Sequence, residues 1–476
     1  MDRIASVTNQ SNSVNRLLIE SFRSCLILFF ASLLLSTHSI AQPSDSSSYL
    51  FAYILDETAL DSEVISGPDA FPGARIPDVS HIDWTNNFVV IYPKFNASDD
   101  LDLYFRIYNH SGNLVRGATL VHRSIQSDQP NSVGAGVDAN SFSFAALYSL
   151  DNSLCSGCTK LRTKIFDSSG NYWCVGNVID AGYNKAQDAA PRVMIHDTDP
   201  IVFSGFNRVE WFTTENPIRT DIDVMGSHSD FGDACVQSES HPVNSKYLLD
   251  SQDIEDDPEG YEYKMDAANV ALNGDMILFV WTRPDGEVMG RLGDYIPSSK
   301  EVILGSEFLI GYGEPGGSVR TWSGVAGDPG SNRFLVAWDD PLDRIVGKFI
   351  EYDPFYIPPD PFTISQYPGS TQPADIAFLR SNMWVITWVA QDPVLQTYEV
   401  WARPFANQAP ITDEIRVNSE TSDAWDDWSR TTPRISRVSS STTSRRFSVA
   451  WQGKEFTNNQ WFSKTFLAIL RFDPAF

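Results

Sequence analysis

Histidine and cysteine are scarce in this chain, with 7 His and 5 Cys among 476 residues. That leaves little material for a histidine-based metal centre or a disulfide-dense scaffold. Basic residues are also few: 35 Lys and Arg face 61 Asp and Glu, for a net charge of −26. Such a surface repels nucleic acid and anionic membranes, which excludes a general affinity for either, and it suits a protein exposed to salt or divalent cations. Past residue 41 no apolar run approaches the roughly 20 residues a spanning helix needs. Catalytic signatures are missing too: there is no G-x-S-x-G elbow, no H-E-x-x-H helix, no phosphate-cradling glycine loop and no dinucleotide fingerprint. His81, His110, His122, His196, His228 and His241 are spread out, none at metal-ligand spacing from another.

What is present begins with an export signal. Arg16 and Arg23 precede the apolar run 25–35, which is too short to span a bilayer, and Ser39-Ile40-Ala41 offers small residues at the −3 and −1 positions of a cleavage site. The expectation is a signal peptide over 1–41 and a secreted mature chain over 42–476, extracellular or periplasmic, with no membrane span after cleavage. Export places Cys155, Cys158, Cys174 and Cys235 in an oxidising compartment. Of their three possible pairings we expect Cys155 with Cys158, closing "CSGC", and Cys174 with Cys235, stapling neighbouring repeats.

A repeat fills the rest. Apolar runs end in an aromatic at "FVVIY" (88–92), "FAALY" (144–148), "ILFVW" (277–281), "FLVAW" (334–338), "WVITW" (384–388) and "FSVAW" (447–451). Near-continuous apolar runs are expected of strands buried on both faces. Each is followed by a polar turn and a run of period-2 alternation, as in "LYFRIYNHSGNL" and "LRTKIFDSSGNYW", the pattern of a half-exposed strand. Each is preceded by a short strand with a recurrent start, as in "ARIPDVSHI", "APRVMIHD", "QPADIAFL" and "TPRISRVS", and a fourth β segment such as "EVILGSEFLIG" closes the unit. Four-stranded units whose anchoring Trp281, Trp338, Trp388 and Trp451 recur at intervals of 57, 50 and 63 residues predict a β-propeller.

Counting gives seven blades at about 74–125, 130–182, 189–245, 261–311, 316–366, 371–419 and 431–476. The third has no clear register. The seventh stops at its third strand, and the N-terminal segment 48–66 is expected to supply its outer strand, closing the propeller and removing exposed edges. Because "YLFAYILD" also reads as a third strand, eight blades is the alternative. The fold class is thus all-β, a single propeller domain.

The unit "FLVAWDDPLDRIVGKFIEYDP" resembles the degenerate repeat of secreted bacterial β-propellers, in which the strand after the turn ends in a Phe-Asp or Tyr-Asp pair near glycine. The pair stands here as Phe166-Asp167, Tyr352-Asp353 and Phe472-Asp473, with Tyr108-Asn109 and Phe405-Ala406 as departures. The resemblance covers nearly all of the mature chain and implies the fold and export. Its motif is structural, and function in that family is mostly unassigned, so it brings no catalytic residue with it.

Two acidic stretches are the candidate sites. "EDDPEGYEYKMD" sets Glu255, Asp257, Glu259, Gly260 and Asp266 at positions 1, 3, 5, 6 and 12 of a calcium loop. Positions 1, 8 and 12 depart from that pattern and no helices flank it, so a solvated acidic loop is the competing reading. "SDAWDDWSR" alternates Asp423, Asp426 and Asp427 with Trp425 and Trp428. This is the composition of a carbohydrate site, where rings take sugar C–H faces and acids take hydroxyls, and equally of a loop packing its tryptophans on the next sheet.

The expected function is a non-catalytic secreted propeller that binds an extracellular glycan, peptide or protein. No cofactor is required, and calcium is the candidate metal. A glycoside hydrolase with two carboxylates in the funnel is the alternative, for which Asp83 in "HIDWTNNF" is the early-blade acid to test. A calcium-stabilised extracellular structural protein is the third reading.

Overall fold

Runs rich in Val, Ile, Phe, Trp and Tyr, cut by Gly, Asn and Asp turns, give an all-β structure. The computed structural model describes the strands and tight turns between 51 and 473. Residues 1–50, 66–76, 126–134, 231–244, 249–268, 314–323, 366–374, 425–432, 437–445 and 474–476, with shorter loop stretches, lie outside the described part. Among the described residues there is no helix, hence none long and apolar enough to cross a membrane.

Five sheets are antiparallel meanders taken in chain order. The first is Asp78–Ile82, Asn87–Phe95, Leu101–Asn109 and Leu114–Ile125; the second is Ala135–Ala139, Ser143–Asp151, Thr159–Asp167 and Tyr172–Ile179. The third, whose register the sequence left open, is Lys185–Ile195, Ile201–Phe212, Arg219–Asp230 and Ser245–Leu248. The fourth is Asn269–Asn273, Met276–Thr282, Glu287–Ile296 and Glu301–Tyr312. The fifth is Gly324–Asp328, Arg333–Asp339 and Ile345–Tyr352, edged by the short strands Phe355–Tyr356 and Phe362–Thr363.

The sixth sheet is larger. Asp375–Arg380, Met383–Gln391 and Tyr398–Ala406 connect through Ser422–Ala424 to Arg446–Thr457 and Gln460–Asp473, with Arg434–Ile435 paired beside them. Phe51–Ala59 then adds antiparallel to Gln460–Asp473, setting Phe51 opposite Asp473 and Ala59 opposite Phe466.

The leading strands of these units are labelled β1 (Asp78–Ile82), β2 (Ala135–Ala139), β3 (Lys185–Ile195), β4 (Asn269–Asn273), β5 (Gly324–Asp328), β6 (Asp375–Arg380) and β7 (Arg434–Ile435). Each packs against the next, and β7 packs against β1. No backbone ladder joins one to the next.

The core lies between sheets. Tyr92, Tyr148, Trp281, Trp338, Trp388 and Trp451, the aromatics that end the repeated runs, are all buried. Neighbouring sheets share their apolar clusters, as where Val89, Ile91 and Phe105 meet Val137, Phe144 and Tyr148. Burial on this scale, roughly 25 cal/mol per Å² of apolar surface, is what holds a sheet that cannot cover its own faces.

The third strands alternate where the sequence predicts it: Leu103, Phe105 and Ile107 are buried while Tyr104 and Arg106 are partly exposed. Ile345–Tyr352 differs, with six residues buried in succession, because Phe362 and Ile364 fold over its outer side at Gly347. Lys348 is buried with it and donates from Nζ to the Ile310 carbonyl at 2.7 Å. Burial pulls that ammonium below the usual lysine range.

The hairpin turns are where the sequence puts them. Gly112 and Gly170 adopt φ of 83° and 81°, a region closed to most side chains. Asp167 Oδ1 accepts the amides of Ser169 and Asn171, and Asn109 Oδ1 accepts those of Ser111 and Asn113. Asn109 is therefore an equivalent of the turn aspartate, which explains that departure from the Phe-Asp pattern.

A Cβ at Gly327 in β5 would be driven into the Leu272 backbone carbonyl of β4, whereas one at Gly117 meets nothing within 4 Å. Gly327→Ala is expected to cost about 1–3 kcal/mol, the range for overpacking, and Gly117→Ala less than about 0.5 kcal/mol. Denaturant titrations of both variants beside the parent check this, and equal midpoints would mean that β4 and β5 do not approach so closely.

Candidate functional site

The seven leading strands carry an apolar residue at one common register, the second residue of β1, β4, β5, β6 and β7, the third of β2 and the ninth of β3: Val79, Val137, Val193, Val270, Val325, Ile376 and Ile435. The residues before them are Asp78, Gly136, Arg192, Asn269, Gly324, Asp375 and Arg434. Side-chain oxygens do between these strands what a backbone ladder does within a sheet. Asp78 Oδ2 accepts the Val137 amide of β2 at 2.8 Å, and Asp375 Oδ2 accepts the Ile435 amide of β7 at 3.0 Å, in the same register. Two residues further along, Ser80 Oγ accepts the Ala139 amide and Asp138 Oδ2 accepts the Ile195 amide of β3. Ser80 also donates to Asp138 Oδ1 at 2.9 Å.

The position before the apolar residue also carries an ion-paired set spanning strands that are not neighbours. The Arg192 guanidinium lies 3.9 Å from Asp78 Oδ1 and 3.4 Å from Asp375 Oδ1. All three side chains are nearly buried. They line a cavity of about 40 Å³ with Val137, Val325 and Ile435. That is room for a few waters, well below the ~300 Å³ at which small-molecule sites begin. Burial pushes the Asp78 carboxyl up to about 7, against the opposing pull of Arg192 and the Val137 amide, with Asp375 adding to the rise.

Two carboxylates facing one another, one protonated near neutrality, have the composition of a general acid and its partner. Here an arginine stands between them, in a space too small for a sugar ring. The sequence signal for this layer was the repeated start Pro77-Asp78-Val79, Pro191-Arg192-Val193 and Pro433-Arg434-Ile435. It reads as strand punctuation until the positions before the apolar residue are aligned and their charges compared.

Asp83, the acid proposed from sequence, sits beyond the far end of β1 and is buried. Its Oδ1 lies 3.0 Å from His81 Nδ1, while Asn86 Oδ1 lies 2.9 Å from His81 Nε2. These contacts fix the turn 83–86, from which Trp84 projects with 75 % of its surface exposed. Phe142, in the equivalent turn after β2, is 63 % exposed. The two rings are 6.1 Å apart, tilted by 30°.

The other sequence candidates are scattered. Asp423 lies in Ser422–Ala424, opposite Lys454, and Trp425, Asp426, Asp427 and Trp428 lie outside the described residues. So do Glu255, Asp257, Glu259 and Asp266 of the acidic loop, and Cys155, Cys158 and Cys235. Cys174 is buried and disulfide-bonded. Among the described residues no group of three or more His, Cys, Asp or Glu is arranged to hold a metal ion.

The raised Asp78 carboxyl makes a signed prediction. It keeps its proton to about pH 7 in the folded chain but only to 3.8 in an ordinary setting, so its contribution to stability is complete below the lower value and is lost as pH rises through the higher. Between about pH 5 and pH 8 the melting temperature of the parent should fall more than that of Asp78→Asn, which cannot ionise. Parallel profiles would show that this carboxyl does not titrate in the window.

No family model and no curated protein sequence matches the chain. Solved structures resemble it at low identity. The WD40 domain of Toxoplasma gondii coronin is 9 % identical over 90 % of this chain and 87 % of that one, with a TM-score of 0.43. Aleuria aurantia lectin, in complex with alpha-methyl-L-fucoside, is 8 % identical over 82 % and 93 %, with 0.37. An alpha-L-arabinofuranosidase from Fusarium graminearum is 10 % identical over 74 % and 98 %, with 0.39. With these TM-scores below 0.5, the chain's own sheet order and strand packing carry the description of its architecture.

Proposed function

We propose that this chain is a secreted, non-catalytic β-propeller of seven blades, closed by its N-terminal strand, which binds an extracellular glycan or protein on its rim. Support for seven blades comes from β1 to β7 packing in succession with β7 on β1, and support for the closure from Phe51–Ala59 completing the sheet of Gln460–Asp473. The observation that carries the non-catalytic reading is the Asp78–Arg192–Asp375 set, which among the described residues lines a cavity with room for no more than a few waters where a funnel enzyme would hold its substrate. Recognition then falls to the turns at the sheet ends, where a rigid scaffold displays variable side chains.

The same two carboxylates favour one competing reading, a glycoside hydrolase. Assay of the mature protein against aryl glycosides is expected to give no turnover above buffer. Turnover that Asp375→Asn abolishes would replace the binding reading with the hydrolytic one.

Calcium at 255–266 belongs to this proposal on the strength of its acidic spacing. Millimolar calcium is expected to raise the melting temperature by several degrees, and Glu259→Ala to remove the shift. An unchanged melt returns the segment to a solvated loop.

A further inference from the structure

Large apolar side chains left in water need a reason when they sit together on an ordered backbone. Trp84 and Phe142 do. They occupy equivalent turns of adjacent sheets, and both turns are locked from beneath. In the first, the Asn86 amide closes on the Asp83 carbonyl at 3.1 Å, with Asn86 in the left-handed region at φ 53°. In the second, Asn140 Oδ1 accepts from the Phe142 amide, the Ser143 amide and Ser143 Oγ, while Asn140 Nδ2 donates to the His196 carbonyl of the next sheet. The rings are therefore held in place before any ligand arrives, which keeps the ordering cost of binding low.

The surroundings select the ligand. The Phe142 carbonyl takes the Ser168 amide at 2.8 Å, which brings the turn 168–171 against the pair, followed by Tyr172 and Trp173, 59 % and 52 % exposed. The charges nearby are already engaged. Arg116 donates to the Ser169 carbonyl and to Asn171 Oδ1. The Asp167 carboxylate takes the amides of Ser169 and Asn171 and the Asn171 side chain, and despite partial burial these bonds hold it below the usual carboxylate range. The other residues of these two turns are Thr85, Asn86, Ser168 and Ser169, whose side chains carry no charge.

An anionic ligand would meet a chain of net charge −26 and, among the described residues of these turns, a single cation, Arg116, whose donors are already taken. A neutral saccharide matches both parts, with C–H faces on the rings and hydroxyls on the amides and hydroxyls around them. Resting on the binding reading above, we infer that the Trp84–Phe142 pair is the docking platform for an uncharged glycan, distinct from the 423–428 segment singled out in the sequence.

The test is an array of neutral and acidic glycans probed with the mature protein, Trp84→Ala, Phe142→Ala and Trp425→Ala, with melts to verify folding. Both platform side chains are exposed, so their variants should melt with the parent. The expected result is binding of neutral glycans by the parent, weakened at least about tenfold in Trp84→Ala and Phe142→Ala and unchanged in Trp425→Ala. Neutral binding that survives both platform variants overturns the assignment of the site while leaving the protein a binder. A blank array, or binding confined to acidic glycans, overturns the ligand class, and release of cleaved sugar from the array overturns the non-catalytic reading itself.

Discussion

The structure depends on how seven neighbouring strands that share no backbone ladder satisfy their amides. A buried N–H without an acceptor costs on the order of 1–3 kcal/mol, and the axial strands are too crowded to leave that duty to bulk water. At the β1–β2, β2–β3 and β6–β7 junctions carboxylates and a hydroxyl take it over: Asp78 for Val137, Ser80 for Ala139, Asp138 for Ile195, Asp375 for Ile435. Each bond crosses from one sheet to the next with the same offset, so it fixes register between sheets as a ladder fixes it within one. Apolar packing supplies most of the stabilisation, but it is non-directional, and these bonds decide which residues come opposite one another.

That solution puts negative charge where it is hardest to keep. Asp78 and Asp375 are both drawn toward the axis, and Arg192 compensates them from a third strand. Buried ion pairs of this kind contribute little net stability because desolvation offsets the attraction. Their effect is on shape, since the arginine stands between the two carboxylates and the three side chains line a cavity of about 40 Å³.

The sheets were legible because burial leaves a period in the sequence. "FLVAW" and its counterparts read as fully buried strands and are buried, and the polar turns read after the first two of them close on Gly112 and Gly170 with positive φ. Ile345–Tyr352 did not follow its alternation, because the segment that covers it, ending in Ile364, has no period to announce that it folds back. The candidate site was harder to read for a different reason. Trp84 lies next to Asp83 in a stretch scanned for an acid, and nothing local separates an exposed turn tryptophan from a packed one. Its exposure follows from the Asp83–His81–Asn86 contacts beneath it, and its meaning from Phe142, 58 residues later in the chain.

Arg446 reaches from the strand of the seventh unit to the His110 carbonyl of the first, as Arg333 reaches from the fifth sheet to Asn382 in the sixth. Together with the pairing of Phe51–Ala59 on Gln460–Asp473, this makes the first described strand wait for the last. A chain emerging in order can form its middle sheets as it goes, but Phe51–Ala59 has an unpaired edge until residues near 470 are available. That sheet is therefore completed late, with its outer edge covered only when the two ends of the described chain meet.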